Sequence, residues 1–351
     1  LEALAAFLDY SSVEHIPSLD TLVEHILHRI VLAPWPNHEP ELDTEWIDDD
    51  SMPLPLRTRL GSLRVLTQWC CVQKKADLVP PVLKLLWILL GTGEVHRDQH
   101  IPLGVRSRLR LFAAQCVLKL ATCDAYASLI LPRMGRLSYA LQDECFQVRM
   151  HLLHDLLLYL MRDELPTEFH AAIFLVAFDP EDEPRVQVAS YTRRLQVLPP
   201  IVRHERLERI IVRFLHLLAH HPDLNAESPQ TLCSFARYLE FYLACVACET
   251  NIGVLARFSA CVRTYIDLSL SEPSVENSRP LYAMAELAQF LIQRLADNNG
   301  WTIYPVDEEA PCPKDILRST GTITRSVLDG EVWELLQQQP RRHRDKKTKV
   351  A

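Results

Sequence analysis

Histidine pairs are the first residues in this sequence whose type and spacing could support metal binding. Three pairs are separated by three or four residues, so each pair shares one face of a helix: His25 and His28, His151 and His154, and His216 and His220. A zinc site needs three or four ligands. His151 and His154 have Asp155 and Glu144 close in sequence. Because paired helical histidines are more often solvated or helix-capping, the sequence predicts no metal site.

Other arrangements that carry chemistry are absent or incomplete in the sequence. Cys245 and Cys248 form a C-x-x-C without the second pair that zinc spacing requires. The acidic runs Asp48 to Asp50 and Glu181 to Glu183 are predicted in loops, without an enclosing pocket. No nucleophile elbow, H-E-x-x-H or phosphate-binding loop occurs. We therefore predict no catalytic residue, no cofactor and no small-molecule substrate. A metal-dependent enzyme at His151 and His154 is the remaining enzymatic hypothesis.

Arginine and aspartate recur at a repeat spacing. Arg149 follows Asp143 by six residues, and Arg185 follows Asp179 by the same interval. Arg110 lies 39 residues before Arg149, and Arg185 lies 36 residues after it. HEAT repeats, which are pairs of antiparallel helices, recur at about 40–47 residues. We predict a structural ladder in which each arginine reaches the aspartate of its own or the next repeat.

The composition agrees with helices punctuated by proline. The chain has 48% hydrophobic residues, 9 glycines and 23 prolines. The fold class that we predict is all-α, a HEAT-repeat α-solenoid of stacked antiparallel helix pairs with a curved or hook-like form. Its helices are expected at 56–71, 78–90, 107–121, 128–141, 145–161, 168–178, 186–198, 201–220, 231–248, 254–269 and 281–296.

Three regions follow from this pattern. Residues 1–300 are predicted to form the HEAT array, 301–340 an extended capping segment with a short helix near its end, and 341–351 a disordered basic tail. Because the chain opens in mid-helix pattern, we expect it to lack preceding N-terminal repeats. No apolar run has the roughly 18–20 residues of a membrane span. The ten scattered cysteines predict reduced thiols in an intracellular protein.

Charge suggests where partners could bind. The net charge of −8 argues against sequence-independent DNA binding by the body of the chain. The tail is the exception, and two readings stay open: nuclear import or nucleic-acid binding, and a merely solvated segment. Its basic residues are Arg341, Arg342, Arg344, Lys346, Lys347 and Lys349. Partner-binding candidates on the helices are the arginines outside the ladder: Arg106, Arg108, Arg193 and Arg194.

Several segments of the chain resemble segments of one protein family, and they occur in the same order as in that family. They include Trp46 before an acidic run, and the segments that begin at Arg108, Gln142, Ala172, Leu217 and Leu281. The most specific is Gln142-Asp-Glu-Cys-Phe-Gln-Val-Arg149. Over roughly residues 45–312 the chain resembles the C-terminal HEAT array of the cohesin-associated sister-chromatid-cohesion factors, the Pds-five family.

This resemblance implies a non-catalytic, hook-shaped nuclear scaffold. Such a scaffold would bind the kleisin and head subunits of the cohesin ring and a Wapl-type release factor, and would thereby regulate cohesin on chromatin. The alternative is a HEAT scaffold of another kind, a nuclear transport receptor or a phosphatase scaffold. A transport receptor would show recurring tryptophans on an acidic inner face, whereas the acids here collect in predicted loops.

Overall fold

Helices dominate the structure of this chain. A computed structural model describes residues 25–36, 44–74, 79–95 and 101–338, and the described elements are almost all helical. The predicted all-α class is therefore confirmed, while the curved solenoid stays a prediction. The chain divides into two compact units: unit 1 comprises Leu1–Phe214 and Lys314–Ile316, and unit 2 comprises Leu215–Pro313 and Leu317–Ala351.

The first described elements of unit 1 are a π-helical turn at Leu27–Val31 and a 3-10 turn at Asp49–Ser51. Its α-helices are α1 (Leu54–Gln73), α2 (Val79–Thr92), α3 (Leu103–Ala121), α4 (Asp124–Ile130), α5 (Met134–Ser138), α6 (Phe146–Met161), α7 (Asp182–Gln196) and α8 (Pro200–Arg203). Helix α9 (Ile211–Ala219) carries residues of both units.

Two of the predicted helices of unit 1 are divided. The segment predicted at 128–141 consists of α4, a 3-10 turn at Leu131–Arg133, α5 and a 3-10 turn at Tyr139–Gln142. Pro132 explains the break, because proline has no N–H to donate and its ring clashes with the preceding turn. The segment predicted at 201–220 is split into α8, a π-helical turn at His204–Glu208, and α9. Glu208 is buried at this turn and accepts a hydrogen bond from His204.

A long 3-10 helix lies between α6 and α7. It spans Thr167–Phe178, and the nine consecutive residues from Phe169 to Ala177 are all buried. Runs of 3-10 helix longer than three or four residues are uncommon. Because this segment is apolar on every side and is enclosed on every side, packing decides its form rather than intrinsic preference.

Unit 2 adds a short sheet that the sequence did not predict. Its elements are α10 (Pro229–Val246), α11 (Ile252–Cys261), β1 (Tyr265–Asp267), α12 (Arg279–Asn299), β2 (Leu317–Ser319) and α13 (Gly330–Gln338). A 3-10 turn at Val262–Thr264 follows α11, so the predicted helix 254–269 is wrong beyond Thr264. Tyr265, Ile266 and Asp267 instead pair antiparallel with Ser319, Arg318 and Leu317. The predicted short helix near residue 330 is present as α13.

The chain after α12 is held against the helices of unit 2. Gly253 in α11 approaches Tyr304 so closely that an added Cβ would lie 2.6 Å from the Tyr304 carbonyl oxygen. Further along, the buried carboxylate of Glu286 accepts hydrogen bonds from the Ser326 hydroxyl at 2.9 Å and from the amide N–H of Val327 at 3.1 Å. We call residues 301–313 and 317–328 the strap.

Asp315 interrupts the strap and belongs to unit 1. Its carboxylate pairs with Arg213 through two bonds, from Nη1 at 2.8 Å and from Nη2 at 2.7 Å. The two residues are separated by 102 positions in the chain. Since the Arg213 side chain is only 4% exposed, this pair provides the counter-charge that a buried guanidinium requires.

The thiols and the apolar content of the helices agree with the sequence reading. All ten cysteines are free thiols. Cys245 is buried at the end of α10, whereas Cys248 lies beyond the helix, where its thiol contacts the Thr250 hydroxyl. Of the helices that the structure describes, none has the length and apolar content that crossing a membrane requires.

Candidate functional site

The first pair of the predicted ladder joins α3 to the turn before α6. Arg110 Nε lies 2.7 Å from Asp143 Oδ2, and Arg110 Nη2 lies 2.8 Å from Oδ1. Both side chains are buried, with 6% and 8% of their area exposed. Asp143 Oδ1 also accepts the backbone N–H of Cys145 at 2.9 Å, which satisfies a donor where α6 begins. The bidentate geometry fixes the direction of both side chains.

The second pair joins α6 to the turn before α7. Arg149 Nε lies 2.9 Å from Asp179 Oδ2, and the Asp179 side chain is 1% exposed. The same guanidinium reaches back to the carbonyl oxygen of Asp143 at 2.9 Å. Glu181 adds a second, more exposed carboxylate at 2.6 Å from Nη2. Arg149 therefore bridges two successive aspartates.

Arg185 makes the last contacts of the predicted ladder. Its guanidinium donates to the backbone carbonyl of Asp179 and to the carboxylate of Asp182. Asp143 and Asp179 therefore make the same two contacts. The carboxylate of each pairs with an arginine about 30 residues earlier, and the backbone carbonyl oxygen of each accepts a hydrogen bond from the arginine six residues later. The structure thus brings Arg110, Asp143, Arg149, Asp179 and Arg185 into one connected network.

The four surface candidates have different environments. Arg193 and Arg194 are exposed on α7, where Arg193 donates to the Ala189 carbonyl oxygen. Arg106 is half-buried and donates to the Thr92 carbonyl oxygen. Arg108, which we predicted as a surface candidate for partner binding, is largely buried: its side chain is 11% exposed and pairs with Asp49 at 2.8 Å. The six basic tail residues lie outside the described part of the chain.

Arg108 is stacked on Trp46. Its guanidinium carbon lies 3.8 Å from the centre of the Trp46 ring, and its Nε donates to the Ile47 carbonyl oxygen at 2.5 Å. On the other side the Trp46 ring faces His151, with ring centroids 5.7 Å apart. A cation–π contact of this kind contributes about 0.5–2 kcal/mol. These contacts hold the segment before α1 against α3 and α6.

An open groove with a volume of about 560 Å³ lies beside this stack. We call it the Trp46 groove, and its walls include Trp46, Arg57, Arg64, Arg108, Phe112 and His151. Two of its arginines are exposed. Arg57 donates to the carbonyl oxygens of Asp49 and Asp50, and the guanidinium of Arg64 lies 5.5 Å from the Phe112 ring centre. The groove is also lined by Asp48 and Asp49, and Asp49 pairs with Arg108. With three arginines and two aspartates it carries a weak net positive charge next to aromatic surface.

The histidine pair that the sequence placed near carboxylates has other contacts. His151 forms part of the Trp46 groove, and His154 is exposed one turn along α6. The Asp155 carboxylate accepts a hydrogen bond from Gln115 Nε2 at 2.7 Å. These positions do not form a three-ligand group among the residues that the structure describes.

A different histidine pair is joined by a carboxylate in unit 2. His220 Nε2 lies 2.6 Å from Asp267 Oδ2, and His216 Nε2 lies 3.3 Å from Asp267 Oδ1. Burial alone would raise the pKa of Asp267, but hydrogen bonds and charge from the two histidines outweigh it and lower that pKa. The sequence missed Asp267 because its strand continues an apolar helical pattern, and nothing local points to its histidine partners.

Comparison with known proteins places the chain in a family. A family model described as Sister chromatid cohesion protein PDS5 protein matches residues 1–318. The chain belongs to this PDS5 family. The predicted resemblance to the Pds-five family is therefore confirmed at family level.

Individual PDS5 proteins are similar to the chain over different lengths. The sister chromatid cohesion protein pds5 of Schizosaccharomyces pombe is 24% identical over 89% of this chain and 26% of its own length. PDS5 of Saccharomyces cerevisiae is 21% identical over 89% of this chain and 28% of its length. PDS5 homolog A of Danio rerio is 30% identical over 53% and 15%. The chain therefore spans between 15% and 28% of these relatives' lengths. These matches do not support the expected C-terminal position within the family.

Proposed function

We propose that this chain is a non-catalytic scaffold that regulates the cohesin ring on chromatin. The observation that carries the proposal is the PDS5 family match across residues 1–318. Its relatives are named sister chromatid cohesion proteins. A role in the nucleus, in chromatin association and in the maintenance or release of cohesion follows from that relationship.

We propose that the helices of each unit stack as HEAT pairs into a curved solenoid. In unit 1 the proposal is supported by the buried pairs Arg110–Asp143 and Arg149–Asp179, which connect one helix to the turn before the next at a repeating interval. Such arrays present long surfaces rather than enclosed pockets. In the same scheme, residues 1–300 are the array, 301–340 a capping segment and 341–351 a basic tail that supports import or contacts nucleic-acid phosphate.

The proposed partners are the kleisin and head subunits of cohesin and a Wapl-type release factor. We place the partner surface at the Trp46 groove, with an acidic segment of a cohesin subunit as its occupant. Arg57 and Arg64 are exposed there, and the Trp46 and Phe112 rings supply apolar area. Aromatic and arginine side chains dominate the binding energy of many interfaces.

A binding assay with purified components tests the proposal. The chain is immobilised and offered each cohesin subunit and the release factor at two salt concentrations, with and without residues 341–351. We expect at least one cohesin subunit to bind the helical part, to remain bound when the tail is deleted, and to bind less at high salt.

Three results would count against this proposal. Retention of no cohesin subunit at either salt concentration would remove the scaffold proposal for this chain. Binding that disappears with the tail would assign the interaction to the basic residues and not to the Trp46 groove. Selective binding of a nuclear transport cargo or a phosphatase subunit would favour the alternative kind of HEAT scaffold.

A further inference from the structure

We propose that His216, His220 and Asp267 form a binding site for a divalent first-row transition-metal ion, with zinc as the best-fitting ion. The three residues each offer one ligand atom, and all three atoms lie within 4.8 Å of one another. The site lies wholly in unit 2 and involves none of the residues assigned above to partner binding. It therefore stands independently of the cohesin proposal.

The separations between the ligand atoms fit coordination. A tetrahedral zinc ion with bonds of about 2.0 Å places its ligand atoms roughly 3.3 Å apart. His216 Nε2 lies 3.3 Å from Asp267 Oδ1 and 3.1 Å from the Ser269 hydroxyl oxygen. His220 Nε2 is closer, 2.6 Å from Asp267 Oδ2. Binding of an ion therefore requires His220 Nε2 to move away from Asp267 Oδ2, and a water completes the coordination.

The backbone holds these ligands before any ion binds. His216 and His220 are four residues apart, and the His220 N–H donates to the His216 carbonyl oxygen at 3.1 Å, so both rings project from one helical face. Asp267 is fixed by strand pairing with Leu317 and by its N–H bond to the Ser278 hydroxyl at 3.1 Å. Its Oδ1 accepts the Ser269 N–H at 2.8 Å. Such outer contacts orient ligands and raise metal affinity.

Burial and access also suit an ion. The side chains of His216 and Asp267 are 8% and 3% exposed, while His220 is 30% exposed. A carboxylate buried to this degree needs positive charge beside it. A divalent ion supplies that charge, and the exposed edge of His220 provides the entry path. Two imidazoles and one carboxylate favour zinc and neighbouring transition metals over magnesium or calcium, which prefer all-oxygen ligands.

The competing arrangement is a metal-free clasp. In it both rings donate an Nε2–H to Asp267. Metal binding instead requires both Nε2 lone pairs, so the ring protons must sit on Nδ1. The two arrangements use the same residues but differ in metal content, and that difference can be measured directly.

The test uses the full chain without a histidine tag. Metal content is measured by mass spectrometry after purification, and again after chelation and titration with Zn²⁺. Co²⁺ replaces zinc in a second titration, because its visible absorption reports the number of ligands. The variants are H220N, which alters the most exposed ligand, and D267N. H154N is the matched control, since His154 is also an exposed helical histidine of a close pair.

We expect stoichiometric zinc and a tetrahedral Co²⁺ spectrum in the wild type and in H154N. H220N should bind at least about tenfold more weakly. Thermal unfolding should shift upward with Zn²⁺ in the wild type and not in H220N. A folded wild type that takes up no zinc or cobalt would overturn the site whatever the variants do. Equal binding by the wild type, H220N and D267N would overturn it too, because the metal would then be held elsewhere.

Discussion

Arg149 Nε donates to Asp179 Oδ2 across 2.9 Å, and both side chains are almost fully buried. The two residues are 30 positions apart in the sequence, and Arg149 lies in α6 whereas Asp179 lies in the turn before α7. Removing one member of a buried ion pair leaves the other charge unpaired in a medium that solvates it poorly, which costs about 3–5 kcal/mol. This relationship therefore makes Asp179 one of the most sensitive positions of unit 1.

Asp179→Asn should lower the free energy of unfolding by about 3 kcal/mol, because Arg149 keeps only the half-exposed Glu181 as a charged partner. Urea denaturation followed by circular dichroism measures the change. Asp182→Asn is the matched control, since Asp182 is 91% exposed in its pair with Arg185 and should cost less than about 1 kcal/mol. Equal losses in the two variants would show that the Arg149–Asp179 pair is not a principal contact.

Reversing the charge of the Trp46 groove should weaken partner binding. Arg57→Glu combined with Arg64→Glu changes two exposed side chains. The variant loses the bonds from Arg57 to the carbonyl oxygens of Asp49 and Asp50 and the contact of Arg64 with Phe112, so stability should fall by about 1 kcal/mol and the protein should stay folded. The affinity for an acidic cohesin segment should fall, and so should its salt dependence. Titration by fluorescence anisotropy at two salt concentrations gives both values.

The control for this experiment has the same change in net charge at a different place. Arg193→Glu with Arg194→Glu alters two exposed arginines of α7 that lie outside the walls of the Trp46 groove. We expect affinity to remain near that of the wild type. If the α7 variant lowers the affinity more than the groove variant does, the partner surface lies on α7 and not at the Trp46 groove.

Replacing Glu286 should release the strap. Its carboxylate accepts the N–H groups of Val327 and Leu328 and the Ser326 hydroxyl, and lies 3.4 Å from Arg263 Nε. Glu286→Ala leaves these donors unpaired, at about 1–3 kcal/mol for each group that stays buried. Hydrogen exchange at Val327 and Leu328 should accelerate, while Glu272→Ala, at an exposed position, should leave it unchanged. Unaltered exchange in Glu286→Ala would mean that other contacts retain the strap.

His170 should make unit 1 sensitive to acid. It is 1% exposed, its Nδ1–H donates to the Thr167 carbonyl oxygen, and its Nε2 accepts the Tyr191 hydroxyl across 2.9 Å. Burial lowers the pKa of His170 to about 4. The unfolded chain, with a histidine pKa of about 6.5, therefore binds the proton more tightly. The stability linked to His170 is complete above pH 6.5 and is lost as the pH falls towards 4.

The size of this effect is on the order of 3 kcal/mol between pH 6.5 and pH 4. His170→Gln cannot take up that proton, so its stability should fall less steeply over this interval, although its stability at pH 7 will be lower. The same substitution at exposed His154 should preserve the wild-type slope. Urea titrations at half-unit pH steps provide the comparison, and identical slopes for all three proteins would exclude His170 as the titrating group.

The sequence predicted features whose signals are local or strictly periodic. Helices such as α6 follow from their apolar spacing, and the contact of Arg149 with the Asp143 carbonyl oxygen follows from their interval of six residues. The sheet has no such signal, because β1 and β2 are three residues each and lie far apart in the chain. Asp267 was missed for the same reason: its neighbours continue a helical pattern, and only the tertiary fold brings it to His216.

The partner candidates show the same limit. Arg108 was predicted as a surface group. The sequence could not show that it is largely buried, because its contacts with Trp46 and Asp49 come from a segment about sixty residues earlier. Arg57 and Arg64 were not singled out, since nothing in the sequence distinguishes them from other helical arginines. What separates them is the aromatic wall that Trp46 and Phe112 build beside them, and this wall exists only in the folded unit.

The pairing of Arg213 with Asp315 has a consequence for the order of events on the ribosome. Arg213 is synthesised 102 residues before its partner. At about 5–20 residues per second, roughly 5 to 20 seconds pass before Asp315 has been added. Until then the nascent unit 1 cannot bury this guanidinium with its own counter-charge. Completion of the first unit during translation therefore waits until residues 215–313 of the second unit have been made.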